Sequence, residues 1–294
     1  MASVAAPPQT SLKTILVATD FSRCAEPALR FAAALAREEK GKIFLVHVLP
    51  PAPAYPIPLD FGPPSAEGGE ARSRMREALA TPELAGVEHE SLLEQGDLWP
   101  VLEAVIKENS VDVVIIGTQG RDGLTKLILG SVAEEVFRRS LCPVVTVGPR
   151  VAPECLHEGR LRRVVFATDL SPGSLHALPY ALKLSEQHRA ELTLVHALAS
   201  AIPDAEYGAA TFVQREVDEA QAQLRKLSPA GTEADIVVDV GTAAAIIVRV
   251  AERRNASLIV MGLRQQSVFA ATHFPWSTAH RVVCDAHCPV LTVR

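Results

Sequence analysis

Residues 12–22 read LKTILVATDFS, and residues 161–171 read LRRVVFATDLS. In each, an apolar run ends in Ala-Thr-Asp, then one hydrophobic residue and Ser: Ala18-Thr19-Asp20-Phe21-Ser22 and Ala167-Thr168-Asp169-Leu170-Ser171. The correspondence continues down the chain. LVHVL (45–49) answers LVHAL (194–198), VIIG (114–117) answers IVMG (259–262), and CPVVTV (142–147) answers CPVLTV (288–293). The order is kept and the spacing barely drifts, so one domain has been duplicated. A length of 294 residues fits two domains. The expected division is an N-terminal tail at 1–11, a first domain at 12–148, a linker at 149–160 and a second domain at 161–294. Pro149 and Pro153 interrupt regular structure at the join, and Gly159 adds a flexible position.

Each copy alternates short apolar runs with longer stretches of helical spacing. The runs fall at 15–18, 43–48, 87–93, 113–116 and 144–147, then at 164–167, 192–197, 234–239, 258–261 and 290–293. Between the first two, Leu29, Ala32, Ala33 and Ala36 recur at helix spacing. Ser22 and Ser171 stand where a helix N-cap is wanted, and Pro172 suits a first helical position. Strands alternating with helices mean right-handed βαβ units and a mainly parallel sheet. The fold class is therefore α/β, with two tandem doubly wound domains, each on a five-stranded parallel sheet. Aromatic residues make up only 5% of the chain, so the core is built from Ala, Val, Leu and Ile. Residues 50–64 break the pattern with seven prolines and read as a surface loop or a lid.

Composition removes several function classes. The 29 basic and 34 acidic residues leave a formal charge of −5, which gives no support to a nucleic-acid or anionic-membrane binder. No apolar run is long enough for a membrane span, and residues 1–14 lack a secretory pattern. Five scattered cysteines suit a reducing cytoplasmic compartment.

Ligands of doubly wound sheets sit outside the carboxyl ends of the strands, where strand order reverses. The first strand ends in Ala18-Thr19-Asp20, and the fourth runs into GTQGRDGLTKLILGSVAEEV from Gly117. Gly117, Gly120 and Gly130 are spaced G-x2-G-x9-G, and Ser131 opens the next helix. Backbone N–H groups at such a helix start form an anion site, for which phosphate is the natural guest. Arg121 and Lys126 would add positive charge, and Asp20 could accept from a ribose or help hold a cation. Neither the P-loop nor the G-x-G-x-x-G fingerprint occurs.

ATDFS after an apolar strand, LVHV, the G-x2-G-x9-G-[ST] loop and a closing CPVVTV together resemble the universal stress protein family. The resemblance covers 12–148 and 161–294, so the chain is similar to tandem members. It implies Rossmann-like domains akin to adenine-nucleotide α-hydrolases, with strand order 3-2-1-4-5. It also implies two domains paired through their last strands, a dimer as one assembly, and an unidentified protein partner. In one branch of the family, ATP is held at the strand ends, with magnesium as an optional companion. Carried over by position, Ala18 and Asp20 would line the nucleoside side and Val48 would touch adenine. Gly117, Gly120 and Arg121 would form the loop, and Gly130, Ser131 and Val132 would bind phosphates.

The second copy keeps Ala167-Thr168-Asp169 but loses the loop: Gln265 replaces Gly120, and Trp276-Ser277 stands at Gly130-Ser131 after Pro275. Triphosphate binding is expected in the first domain alone, with the second structural or serving another ligand. Cys284, His287 and Cys288 offer too few ligands for zinc. His47 and His196 end apolar strands and read as packed or hydrogen-bonded histidines. No triad, G-x-S-x-G or H-E-x-x-H motif is present, so no catalytic residue is assigned. Three functions stay open: an ATP-binding stress-response regulator, which the resemblance favours, a slow ATPase, and a scaffold that needs no nucleotide.

Overall fold

The computed structural model describes residues 10–51, 65–118, 131–157, 159–199, 209–228, 233–263 and 278–294. The chain divides into two compact units. The first takes in Ser11–Pro149 and Pro153–Arg160, the second Arg150–Ala152 and Leu161–Arg294.

In the first unit the elements are β1 (Thr14–Ala18), α1 (Glu26–Glu39), β2 (Lys42–Leu49), α2 (Ser65–Leu79), β3 (Glu88–Gln95), α3 (Leu98–Glu108), β4 (Val113–Gly117), α4 (Ser131–Arg139), β5 (Val144–Val147) and α5 (Pro153–His157). The second holds β6 (Arg163–Ala167), α6 (Pro172–Leu175), α7 (Leu178–His188), β7 (Glu191–Leu198), α8 (Ala209–Leu227), β8 (Ala234–Val240), α9 (Ala243–Arg253), β9 (Leu258–Gly262), α10 (Thr278–Asp285) and β10 (Val290–Val293). Strand order is β3-β2-β1-β4-β5 in the first and β8-β7-β6-β9-β10 in the second, which is 3-2-1-4-5 twice. Pairing within each unit is parallel.

β1 lies centrally, with Ala18 opposite Val46 on one side and Ile116 on the other. Buried from both faces, it reads as the unbroken apolar run Ile15-Leu16-Val17. β3 has a neighbour on one side within its unit and is exposed along much of its length. The core is aliphatic, with Phe31 and Phe166 its only fully buried aromatics among the described residues. α1 packs on the sheet through Ala28, Leu29, Ala32, Ala33 and Leu35, and the alanines let it lie close.

The helix expected to be capped by Ser22 begins later. Residues 22–25 form a turn in which the Ala25 N–H donates to the Ser22 carbonyl at 3.0 Å, and α1 starts at Glu26. Pro27 explains the delay: it has no N–H to give the Arg23 carbonyl, so no α-helical turn closes across it. In the second unit Ser171 does cap, accepting from the Ser174 N–H at 3.3 Å, with Pro172 first in α6. Pro179 then separates α6 from α7 by the same missing donor. Gly159, expected as a flexible point, is a place of close approach. A Cβ there would lie 1.9 Å from the Ala34 carbonyl oxygen of α1.

Candidate functional site

The site starts where β1 runs out. The Thr19 N–H donates to the Val46 carbonyl at 2.9 Å, extending the ladder one residue beyond the strand. The chain then turns sharply. Thr19 Oγ1 accepts from the Phe21 N–H at 3.0 Å and Asp20 Oδ1 from the Ser22 N–H at 2.9 Å. These two side chains hold Phe21 at φ 57°, a left-handed conformation uncommon for a bulky residue. From β2, His47 Nδ1 donates to the Thr19 carbonyl at 2.7 Å, since a carbonyl can only accept. Its ring stands 4.5 Å from that of Phe21. His47 is thus a hydrogen-bonded brace for the turn.

On the other side of β1, β4 ends at Gly117. A Cβ on Gly117 would lie 2.0 Å from the Cys24 carbonyl oxygen, so only glycine lets the 22–25 turn rest on the end of β4. Between this turn, the β4 end and the start of α4 lies a cleft. Ala18, Asp20, Ser22, Cys24, Ala25, Ile116, Gly117, Thr118, Val132 and Ala133 line it. It sits where strand order reverses, between β1 and β4, the usual ligand position in this architecture. Thr118 is 4% exposed, and its Oγ1 has no hydrogen-bond partner among the described residues.

Of the residues expected at the site, Ala18, Asp20, Gly117 and Val132 meet at this one cleft. Ser131 opens α4 beside it; its side chain lies outside the described residues. Val48 stands on β2, two residues past the partner of Ala18, and is not among the cleft's described lining residues. Gly120, Arg121, Lys126 and Gly130 lie outside the described residues, as does most of the proline-rich segment. Ser22, Cys24 and Thr118 were not singled out from the sequence as site residues. Thr118 follows Gly117 directly, so its place one step beyond an apolar run was the available signal.

The second unit repeats the turn. The Leu170 N–H donates to Thr168 Oγ1 at 2.9 Å and the Ser171 N–H to Asp169 Oδ1 at 3.0 Å; Leu170 has φ 62°. His196 Nδ1 donates to the Thr168 carbonyl at 2.8 Å, matching His47. Gly262 again clears a backbone, its added Cβ falling 2.4 Å from the Gly173 carbonyl oxygen. The side chains around it differ. Ser174 replaces Ala25, and its hydroxyl lies 2.7 Å from Thr168 Oγ1. Leu263 replaces Thr118. Gln265, Trp276 and Ser277 lie outside the described residues.

Cys284 and Cys288 are buried, and His287 Nδ1 lies 2.9 Å from Glu252 Oε1. Among the described residues no three His, Cys, Asp or Glu side chains gather as metal ligands. Among them, too, no helix is long and apolar enough to cross a membrane.

Comparison with known proteins agrees with this architecture. The universal stress protein family model matches residues 11–148 and again 160–294. A universal stress protein of Thermus aquaticus is 35% identical over 143 residues, covering 46% of this chain and 98% of its own. One from Methanocaldococcus jannaschii is 29% identical over 142 residues, covering 46% of this chain and 81% of its own. The crystal structure of a universal stress protein from Archaeoglobus fulgidus superposes with a TM-score of 0.66 at 22% identity. It covers 96% of this chain and 98% of that one, and so shares the fold across both units. With the family model matched in each half, the chain belongs to the universal stress protein family as a tandem, two-domain member.

Proposed function

We propose that the protein is an ATP-binding stress-response regulator, with the nucleotide held in the cleft of the first unit. The observation that carries this reading is the cleft at the reversal of strand order, which brings Asp20 and the start of α4 together. The family resemblance favours an adenine nucleotide as the guest, and the cleft at the strand ends supports this position for it. Asp20 keeps one carboxylate oxygen on the Ser22 N–H, which fixes the group for a ribose hydroxyl. The first N–H groups of α4 have no helical partner and favour phosphate oxygens. Gly120, Arg121, Gly130 and Ser131 would complete the cradle, with Val48 against the base.

Regulation is favoured over turnover. Asp20 is the only carboxylate among the described lining residues, and no histidine or lysine joins it there. A hydrolase needs a group to position water and another to stabilise charge. Binding spread evenly over ground and transition states gives affinity without rate.

The test is the nucleotide content of purified protein after denaturation, followed by calorimetric titration. One ATP per chain is the expected content. Gly130→Val should weaken ATP about ten-fold or more, since each charge-assisted hydrogen bond is worth about 1.5–3 kcal/mol. Trp276→Val, at the matching place in the second unit, should leave ATP binding unchanged. No nucleotide and no ATP binding would leave the scaffold reading. Multiple-turnover hydrolysis abolished by Asp20→Ala would make the chain an enzyme.

A further inference from the structure

In each unit the third strand of the chain stands at an edge of the sheet, β3 in the first and β8 in the second. β8 pairs with β7 from Ala234, opposite Leu192, to Val240, opposite Leu198. Among the described residues it has no strand on its other side. The N–H and C=O groups along such an edge are a template for another strand. The two edges are guarded differently. β3 carries Glu88, Glu90 and Glu94 on one face, and Lys42 answers the first two. Pairing β3 antiparallel with its own copy, in either register of greatest overlap, sets Glu88 or Glu90 opposite Glu94. Like charges opposed across strands repel. β8 reads Ala-Asp-Ile-Val-Val-Asp-Val and holds no Lys, Pro or Gly. Its side chains alternate between faces, with Asp235, Val237 and Asp239 on one and Ala234, Ile236, Val238 and Val240 on the other. Ile236, Val237 and Val238 are half-buried and Val240 is 37% exposed, so an apolar strand is left partly uncovered. Its two carboxylates are already matched: Arg254 donates to Asp235 at 2.7 Å, and Arg249 donates to Asp239.

We propose that β8 is a docking edge for β8 of a second copy of this chain, joined antiparallel about a two-fold axis at Val237. The inference is independent of the nucleotide reading above. A two-fold contact must be self-complementary, since the same patch serves both copies. In this register Ala234 meets Val240 of the second copy and Ile236 meets Val238, so the apolar face continues across the join. On the other face Val237 meets itself, and Asp235 meets Asp239. Each of these carboxylates brings its own arginine. The two carboxylates and two arginines at each end of the strand pair sum to zero charge. The like-charge cost that guards β3 is therefore absent at β8.

The experiment uses the full chain, with sedimentation velocity over a wide concentration range, circular dichroism as the check on folding, and oxidative cross-linking read by peptide mass mapping. The parent chain should associate reversibly to a dimer. Val240→Lys and Arg254→Glu should each weaken that association about ten-fold or more with the circular dichroism unchanged, the second because it leaves like charges opposed. Residues directly opposite on antiparallel strands have Cα atoms about 4.5–5.5 Å apart, within reach of a disulfide. Val237→Cys should therefore cross-link to the same position of a second copy. Val240→Cys should not, because it faces Ala234. A chain that stays monomeric, a dimer that both charge variants leave intact, or no cross-link through Val237→Cys overturns the inference. Where a variant loses its circular dichroism, the cross-link pattern decides. The nucleotide reading is untouched by any of these results.

Discussion

At the scale of single residues, Thr118 and Cys142 both put a polar group into the interior, with different consequences. Thr118 is 4% exposed, and its hydroxyl finds no partner among the described residues. A buried hydroxyl without a partner costs about 1–3 kcal/mol. Thr118→Val keeps the shape and removes the hydroxyl. Ligand-free protein should then become more stable by roughly 1 kcal/mol in urea denaturation. Lower stability in the variant would show that the hydroxyl is satisfied in the folded chain. Cys142 instead donates to the Val111 carbonyl at 3.4 Å. Burial and the nearby Asp112 charge push its thiol from 9.0 to about 12. Below pH 9 both folded and unfolded chains hold the proton, and the contribution to stability is complete. Above pH 9 the unfolded chain releases it first, so stability falls until the folded thiol also ionises near 12. Cys142→Ala should therefore lose less stability than the parent between pH 9 and pH 11 in chemical denaturation. Parallel curves would show that this thiol does not set the alkaline limit.

At the scale of elements, the two strand-end turns share a backbone and differ in how the next helix begins. Ser171 caps α6, whereas Ser22 caps nothing because Pro27 moves the start of α1 to Glu26. Ser171→Ala should cost about 0.5–2 kcal/mol in thermal or chemical unfolding, and Ser22→Ala clearly less. Equal costs would mean that the Ser22 hydroxyl has a partner of comparable worth. The strands themselves were legible. Each apolar run read from the sequence corresponds to a strand to within a residue or two, from β1 at Thr14–Ala18 to β10 at Val290–Val293. The inner strands β1, β4, β6 and β9 are apolar runs because both their faces are buried, whereas β3 is largely exposed and mixes polar with apolar residues. The helix start was not legible at Ser22 because capping propensity is local, while the constraint came from a proline five residues on. Gly117 was legible as a close approach but not as to what approaches. It meets the backbone of the Cys24 turn, a contact made only when β1 and β4 lie side by side. Thr118 was passed over because a lone threonine carries no spacing signal. It stands out by its burial and by having no hydrogen-bond partner among the described residues.

At the scale of the whole chain, duplication has left two copies of one frame with different side chains at the same strand ends. In the first unit Ala25 has no hydroxyl, and the buried hydroxyl of Thr118 has no partner among the described residues. In the second, Ser174 and Thr168 hold each other at 2.7 Å, and Leu263 removes the hydroxyl that Thr118 supplies. Among the described residues, the hydroxyls of Ser174 and Thr168 thus pair with each other in the second unit, while that of Thr118 in the first has no partner. A ligand that binds only the folded first unit stabilises that unit by RT ln(1 + [L]/Kd), about 2.7 kcal/mol at a hundred times Kd. Such stabilisation suppresses local opening, which amide hydrogen exchange reads segment by segment. ATP should therefore slow exchange in β1 and the following turn (14–25), in β4 through Thr118, and in α4 (131–139). The matching segments 163–174, 258–263 and 278–285 should exchange at unchanged rates. Calorimetry on the same sample should give one site per chain. Equal protection in both units with two sites would show that the second copy also accepts ATP, and that the Ser174–Thr168 pair opens to admit it. Protection confined to the second unit would move the nucleotide there and overturn its assignment to the first.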